Sequence, residues 1–158
     1  MATTEDYFNQ WFRDVLQDLY KDSRAGFIVV LTSNALLERY LRAKSGLSPT
    51  DKLKGPFWPE FRGLFPQIPD DDVAKAFWHV CRNGLMHQVT FNMKTEKGDV
   101  CMVGLDDSGP DIEYRTDGGS LLFKISPTKF SSKIIDAIGK DFGKFEGGGP
   151  PLPKLYGA

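Results

Sequence analysis

Cysteine is scarce in this chain of 158 residues: Cys81 and Cys101 are too few and too far apart for a disulfide framework or a metal-binding spacing. An excess of one charge is missing too. Twenty Lys and Arg against 21 Asp and Glu leave a formal net charge of −1. That excludes polyanion binding by bulk charge and leaves a local patch as the only route to nucleic acid. The longest apolar run, residues 27–31, is far too short to span a bilayer. The acidic start, MATTEDYFNQ, lacks the basic-then-apolar order of a signal peptide. The expectation is a soluble, reduced, cytoplasmic protein with no membrane association.

Histidine is the rarest polar group, with only His79 and His87. On an α-helix these two stand about 12 Å apart along the axis, so they cannot share an ion without help from elsewhere. No glycine loop is placed to cradle a phosphate, since Gly118 and Gly119 read as a hairpin turn and Gly147, Gly148 and Gly149 as part of the tail. No metal and no cofactor are predicted.

Apolar periodicity is plentiful. Phe8, Trp11, Phe12, Val15, Leu16 and Leu19 recur at three- and four-residue steps and predict a helix over residues 4–22. Ser23 reads as the cap of a second helix, to about residue 45, followed by Gly46 as a stop signal. Five prolines punctuate residues 46–69, yet Phe57, Trp58, Phe61, Leu64 and Phe65 call for burial. They predict an ordered connection with one short helix near 57–65. Asp70, Asp71 and Asp72 open a helix over 71–88.

Beyond it, period-two stretches around residues 100–105, 112–114 and 121–125, separated by Gly- and Asp-rich turns, predict an antiparallel β-meander. Ser126 and Pro127 open a final helix with Phe130, Ile134, Ile138, Phe142 and Phe145 on its buried stripe. The fold class expected is mainly α: an antiparallel bundle of four to five helices, with a small antiparallel meander at about 89–126 before the last helix. Residues 1–146 form the single domain, and residues 147–158 read as a flexible Gly/Pro-rich tail.

Projected at about 100° per residue, the helix over 71–88 divides into two faces. Val73, Phe77, Trp78, Val80, Cys81 and Leu85 lie on one; Lys75, His79, Arg82, Asn83 and His87 lie on the other. His79, Asn83 and His87 form one i, i+4, i+8 line, with Arg82 beside it. An amphipathic helix has a polar face whether or not it does chemistry. Two features single this one out: Gly84 in mid-helix, a residue suited to close backbone approach, and Met86 on the polar side.

Arg82, Asn83, Gly84, Leu85, Met86 and His87 spell an arginine, a polar residue, three more residues and a histidine. This resembles the signature of the HEPN superfamily, helical-bundle proteins that are often metal-independent endoribonucleases. The resemblance implies that His87 is the acid/base and that Arg82 binds phosphate and stabilises its charge. It implies that Asn83 positions substrate. His79 is not part of the family motif; it reads as a rim histidine on the same face and is a candidate substrate-binding or second proton-transfer group. The resemblance also implies a homodimer whose paired motifs face one cleft, and RNA products with 2′,3′-cyclic phosphate and 5′-hydroxyl ends. A role as a toxin or defence component, with an antitoxin or other regulatory protein as partner, follows from the family alone. The meander is not part of the family's minimal fold. The alternatives are a non-catalytic dimerisation or nucleic-acid-binding module, and a regulatory domain whose β-edge takes a strand from another protein.

Overall fold

Helix signals in the sequence are answered by side-chain caps in the structure, a computed structural model that describes residues 1–88, 92–95 and 98–153, the side chains of 85–88 excepted. Thr3 and Asp6 form a capping box that starts α1 (Thr4–Phe8). The same helix continues through a π-helical stretch, Asn9–Arg13, into α2 (Asp14–Leu19). Asp22 rather than Ser23 is the next cap: its carboxylate accepts from the Arg24 N–H and starts a 3₁₀ turn, Ser23–Ala25, that leads into α3 (Gly26–Lys44). The proline-rich connection carries α4 (Phe57–Leu64). Asp70 caps α5 (Asp71–Trp78), its Oδ1 accepting from the Val73 N–H at 2.9 Å.

From His79 the helix changes type and runs to Gln88 as a π-helix. β1 (Asn92–Lys94), β2 (Val100–Leu105), β3 (Ile112–Asp117) and β4 (Ser120–Ile125) follow. Ser126 then caps α6 (Pro127–Lys140) through the Lys129 N–H, with Pro127 in its first turn. The chain bends at Asp141 into α7 (Phe142–Gly147).

The strands overturn the expected fold class. They form a four-stranded mixed sheet in the order β1-β2-β4-β3, not an antiparallel meander. β2 and β4 run parallel, with Cys101 opposite Leu121 and Leu105 opposite Ile125, while β3 lies antiparallel at the outer edge of β4. The architecture is therefore a helical layer on a mixed sheet and not a helical bundle with an appendage. Composition explains the exchange of places. β4 carries Leu121, Leu122, Phe123 and Ile125 and gains from neighbours on both sides; β3 alternates Glu113, Arg115 and Asp117 with Ile112 and Tyr114 and suits an edge.

The loop that makes the jump is pinned from outside. Asp107 accepts from Ser126 Oγ and from the Thr128 N–H at the start of α6. Asp111 pairs with Lys133 of α6 and accepts from Gln67 Nε2, which also donates to the Ile112 carbonyl at 2.9 Å. None of these partners is near in sequence, so no local signal could report the strand order.

One face of the sheet joins the helical core. Cys101, Ile112, Phe123 and Ile125 are buried in the same apolar cluster as Val30, Leu37, Phe77 and Ile134. Phe77 makes an edge contact with Phe123, the ring centroids 5.2 Å apart, and Phe65 stacks on Phe130 at the same separation. Four lysines of the last helical region divide by partner. Lys129 donates to the Gly109 carbonyl, and Lys133 donates to the Leu64 carbonyl and lies over the Phe65 ring; both are structural ties. Lys140 and Lys144 show no such tie among the described residues.

The Gly/Pro-rich segment is gripped along its first half. Arg39 donates to the carbonyls of Phe145, Glu146 and Pro150 at 2.8–2.9 Å, and Leu152 is 8% exposed. Residues 154–158 lie outside the described residues. No helix among the described residues is long and apolar enough to cross a membrane.

Candidate functional site

A cleft of about 620 Å³ opens along α5 and the π-helical segment that follows it. Three elements wall it. Asp72, Lys75, Trp78, His79, Arg82 and Asn83 come from the helix; Leu53 and Trp58 from the proline-rich connection; Thr95, Asp99 and Leu121 from the sheet side. The volume is in the range of small-molecule sites. The described part of the polar helix face singled out in the sequence, His79, Arg82 and Asn83, lines this cleft.

The change of helix type alters the register of that face. In an α-helix, positions 82 and 87 are about 140° apart around the axis. A π-helix closes its hydrogen bonds five residues on, so positions five apart come one turn above one another. Both lie in the π segment His79–Gln88, so backbone positions 82 and 87 stand one π-turn apart, while His79 and Asn83 keep the i, i+4 contact expected of them. The His87 side chain lies outside the described residues, as do those of Leu85 and Met86. Gly84 is buried, and so are Val80 and Cys81, while His79, Arg82 and Asn83 are partly exposed.

Asn83 and His79 are hydrogen-bonded, Nδ2 to Nδ1, at 2.9 Å. With the amide nitrogen facing it, Nδ1 accepts, so the neutral ring carries its proton on Nε2. In that tautomer the imidazole offers the cleft a donor and holds no free lone pair. His79 thus fits a binding role better than that of a base.

Arg82 is tied from behind. Its Nε donates to Glu38 Oε2 of α3 at 2.8 Å, and among the described residues Nη1 and Nη2 make no hydrogen bond. The Arg82 side chain is 39% exposed, that of Glu38 only 15%. The other carboxylate oxygen, Oε1, takes Arg42 Nε and Nη2, each at 2.9 Å. Arg42 is buried and donates through Nη1 to the carbonyls of Ser48 and Asp51. Glu38 thus bridges two arginines, while its neighbour Arg39 holds the carbonyls of Phe145, Glu146 and Pro150. The only local signal for the bridge is the four-residue step from Glu38 to Arg42.

Charge in the cleft is divided. Asp70, Asp72 and Asp99 sit toward the start of α5 and the sheet turn, with Lys75 paired to Asp72 at 3.6 Å; Arg82 stands farther along the helix. Behind the helix the Cys81 thiol is buried, and desolvation together with the neighbouring Cys101 pushes it well above its ordinary ionisation range. It is a core thiol and not a nucleophile. The indole N–H of Trp78, in the cleft wall, is buried and has no acceptor among the described residues. Compared with protein-family models, with curated proteins and with solved structures, the chain finds no match.

Proposed function

We propose that the protein is a metal-independent endoribonuclease acting through Arg82 and His87. The observation that carries the reading is the meeting of Arg82, Asn83 and His79 in one cleft, with backbone position 87 one π-turn from position 82. The HEPN resemblance contributes the chemistry of the motif and not the bundle.

In the proposed reaction the RNA 2′-oxygen attacks the adjacent phosphorus. The bond from phosphorus to the 5′-oxygen breaks, leaving a 2′,3′-cyclic phosphate and a 5′-hydroxyl. A neutral imidazole takes the 2′-hydroxyl proton, and an imidazolium returns a proton to the departing 5′-oxygen. His87 fills these roles, the second copy coming from the partner in a homodimer. The guanidinium of Arg82 offers paired donors to the phosphorane oxygens, whose charge grows in the transition state. Asn83 and the Nε2–H of His79 hold the flanking nucleotide. A cytoplasmic setting and a regulatory protein partner belong to the same reading.

Incubation of the purified protein with single-stranded and structured RNA in EDTA tests it. Fragments with cyclic phosphate ends, lost in Arg82→Ala and in His87→Ala, are the expected result.

A second reading is favoured by the divided charge of the cleft. Three carboxylates against Lys75 and Arg82 suit a ligand that carries cationic as well as anionic groups, as a protein segment does. Binding of such a segment without RNA cleavage would select it.

A further inference from the structure

The Arg42–Glu38–Arg82 triad joins the connection after α3 to the cleft. Its two guanidinium groups and one carboxylate sum to one positive charge. Arg42 is held at all three nitrogens: Nε and Nη2 meet Glu38 Oε1, and Nη1 meets two backbone carbonyls. Among the described residues Arg82 is held by one bond, at Nε. A guanidinium has two edges that match an oxyanion, one at Nε and Nη and one at the Nη pair. Glu38 occupies a position on the first, and among the described residues the second is unengaged at the cleft wall.

We propose that Glu38 is a positioning residue that sets the Nη pair of Arg82 for a phosphate group in the cleft and acts on binding and catalysis only through Arg82. The proposal deepens the phosphodiester reading and rests on it for its substrate class. Both carboxylate oxygens are needed, because each serves a different arginine. An amide at position 38 has a single acceptor oxygen, and its NH₂ would face a guanidinium donor. Glu38→Gln must therefore release one partner. Arg42, with contacts from two nitrogens to Oε1 and two carbonyls on a third, keeps its place. Arg82 is released.

The experiment uses the full chain as wild type, Glu38→Gln, Arg82→Ala and the double variant, each checked for folding by circular dichroism and melting. Glu38→Asp, which keeps the charge but is one methylene short of bridging both arginines, is a second probe should Glu38→Gln fold poorly. Two readouts are taken: arginine Nε–H resonances during titration with inorganic phosphate, and steady-state cleavage of a defined single-stranded RNA. In wild type, phosphate should shift the Arg82 Nε–H signal, and Glu38→Gln should remove that response. Glu38→Gln should lower kcat about tenfold or more with a smaller change in KM, because the misplaced donors serve the transition state most. In the Arg82→Ala background the same change should alter kcat less than about twofold, since the two act as one unit.

Full cleavage by Glu38→Gln alongside loss in Arg82→Ala would overturn the positioning role and leave the nuclease reading standing. An additional loss in the Arg82→Ala background, or a phosphate titration that leaves Arg82 unmoved in wild type, would overturn it too. No RNA cleavage by wild type, with a phosphate response at Arg82 that depends on Glu38, would support the positioning role and refute the nuclease.

Discussion

Asn83 and His79 meet one helical turn apart, amide nitrogen to Nδ1 at 2.9 Å, and the contact decides which ring nitrogen is free at the cleft. An amide that donates there fixes the Nε2–H tautomer. Two-bond ¹H–¹⁵N spectra of the neutral His79 ring should show the proton on Nε2 and none on Nδ1. Asn83→Asp replaces the donor with an acceptor, so the proton should move to Nδ1. An unchanged tautomer in that variant would mean the pair does not govern the ring.

Cys81 and Cys101 are both buried, and Cys101 donates its S–H to the Ala76 carbonyl. Burial pushes the Cys101 thiol from its ordinary 9.0 up to about 12, and Cys81 moves in the same direction. The thiolate, not the thiol, reacts, so neither side chain should be alkylated by iodoacetamide at pH 8 in the folded protein. Both should be labelled in guanidinium chloride. The linkage has a definite sign. The folded state holds these protons, so their contribution is complete below pH 9 and is lost as pH rises toward 12. Denaturant midpoints measured between pH 8 and 11 should fall with rising pH.

Phe77 joins α5 to the sheet and to α6 through its contacts with Phe123 and Phe130. It is fully buried. Phe77→Ala should destabilise the fold by about 3–5 kcal/mol, read as a lower urea midpoint. A loss below about 1 kcal/mol would mean that helices and sheet do not share one core.

Helix starts were legible because their determinants are local. Asp70, Ser126 with Pro127, and the aromatic content of residues 57–65 each act within a turn of the element they announce. Strand composition was legible as well, since alternation follows from the pleat. Strand order was not. It rests on Gln67, Lys133 and the start of α6 pinning Asp107 and Asp111, contacts made across 19–44 positions of sequence. At the site, His79, Arg82 and Asn83 fell on one polar face under an α-helical projection. The π register that aligns 82 with 87 has no periodic signature in a ten-residue stretch. Glu38 was hidden for the same reason as the strand order: its partner Arg82 is 44 residues away.

Mass spectrometry of RNA fragments released by the protein in EDTA, compared among wild type, Arg82→Ala and His87→Ala, tests the central claim most directly. The account predicts 2′,3′-cyclic phosphate termini from wild type and a loss of at least about 100-fold in each variant. Fragments that persist in both variants, or intact RNA after prolonged incubation with wild type, would contradict it.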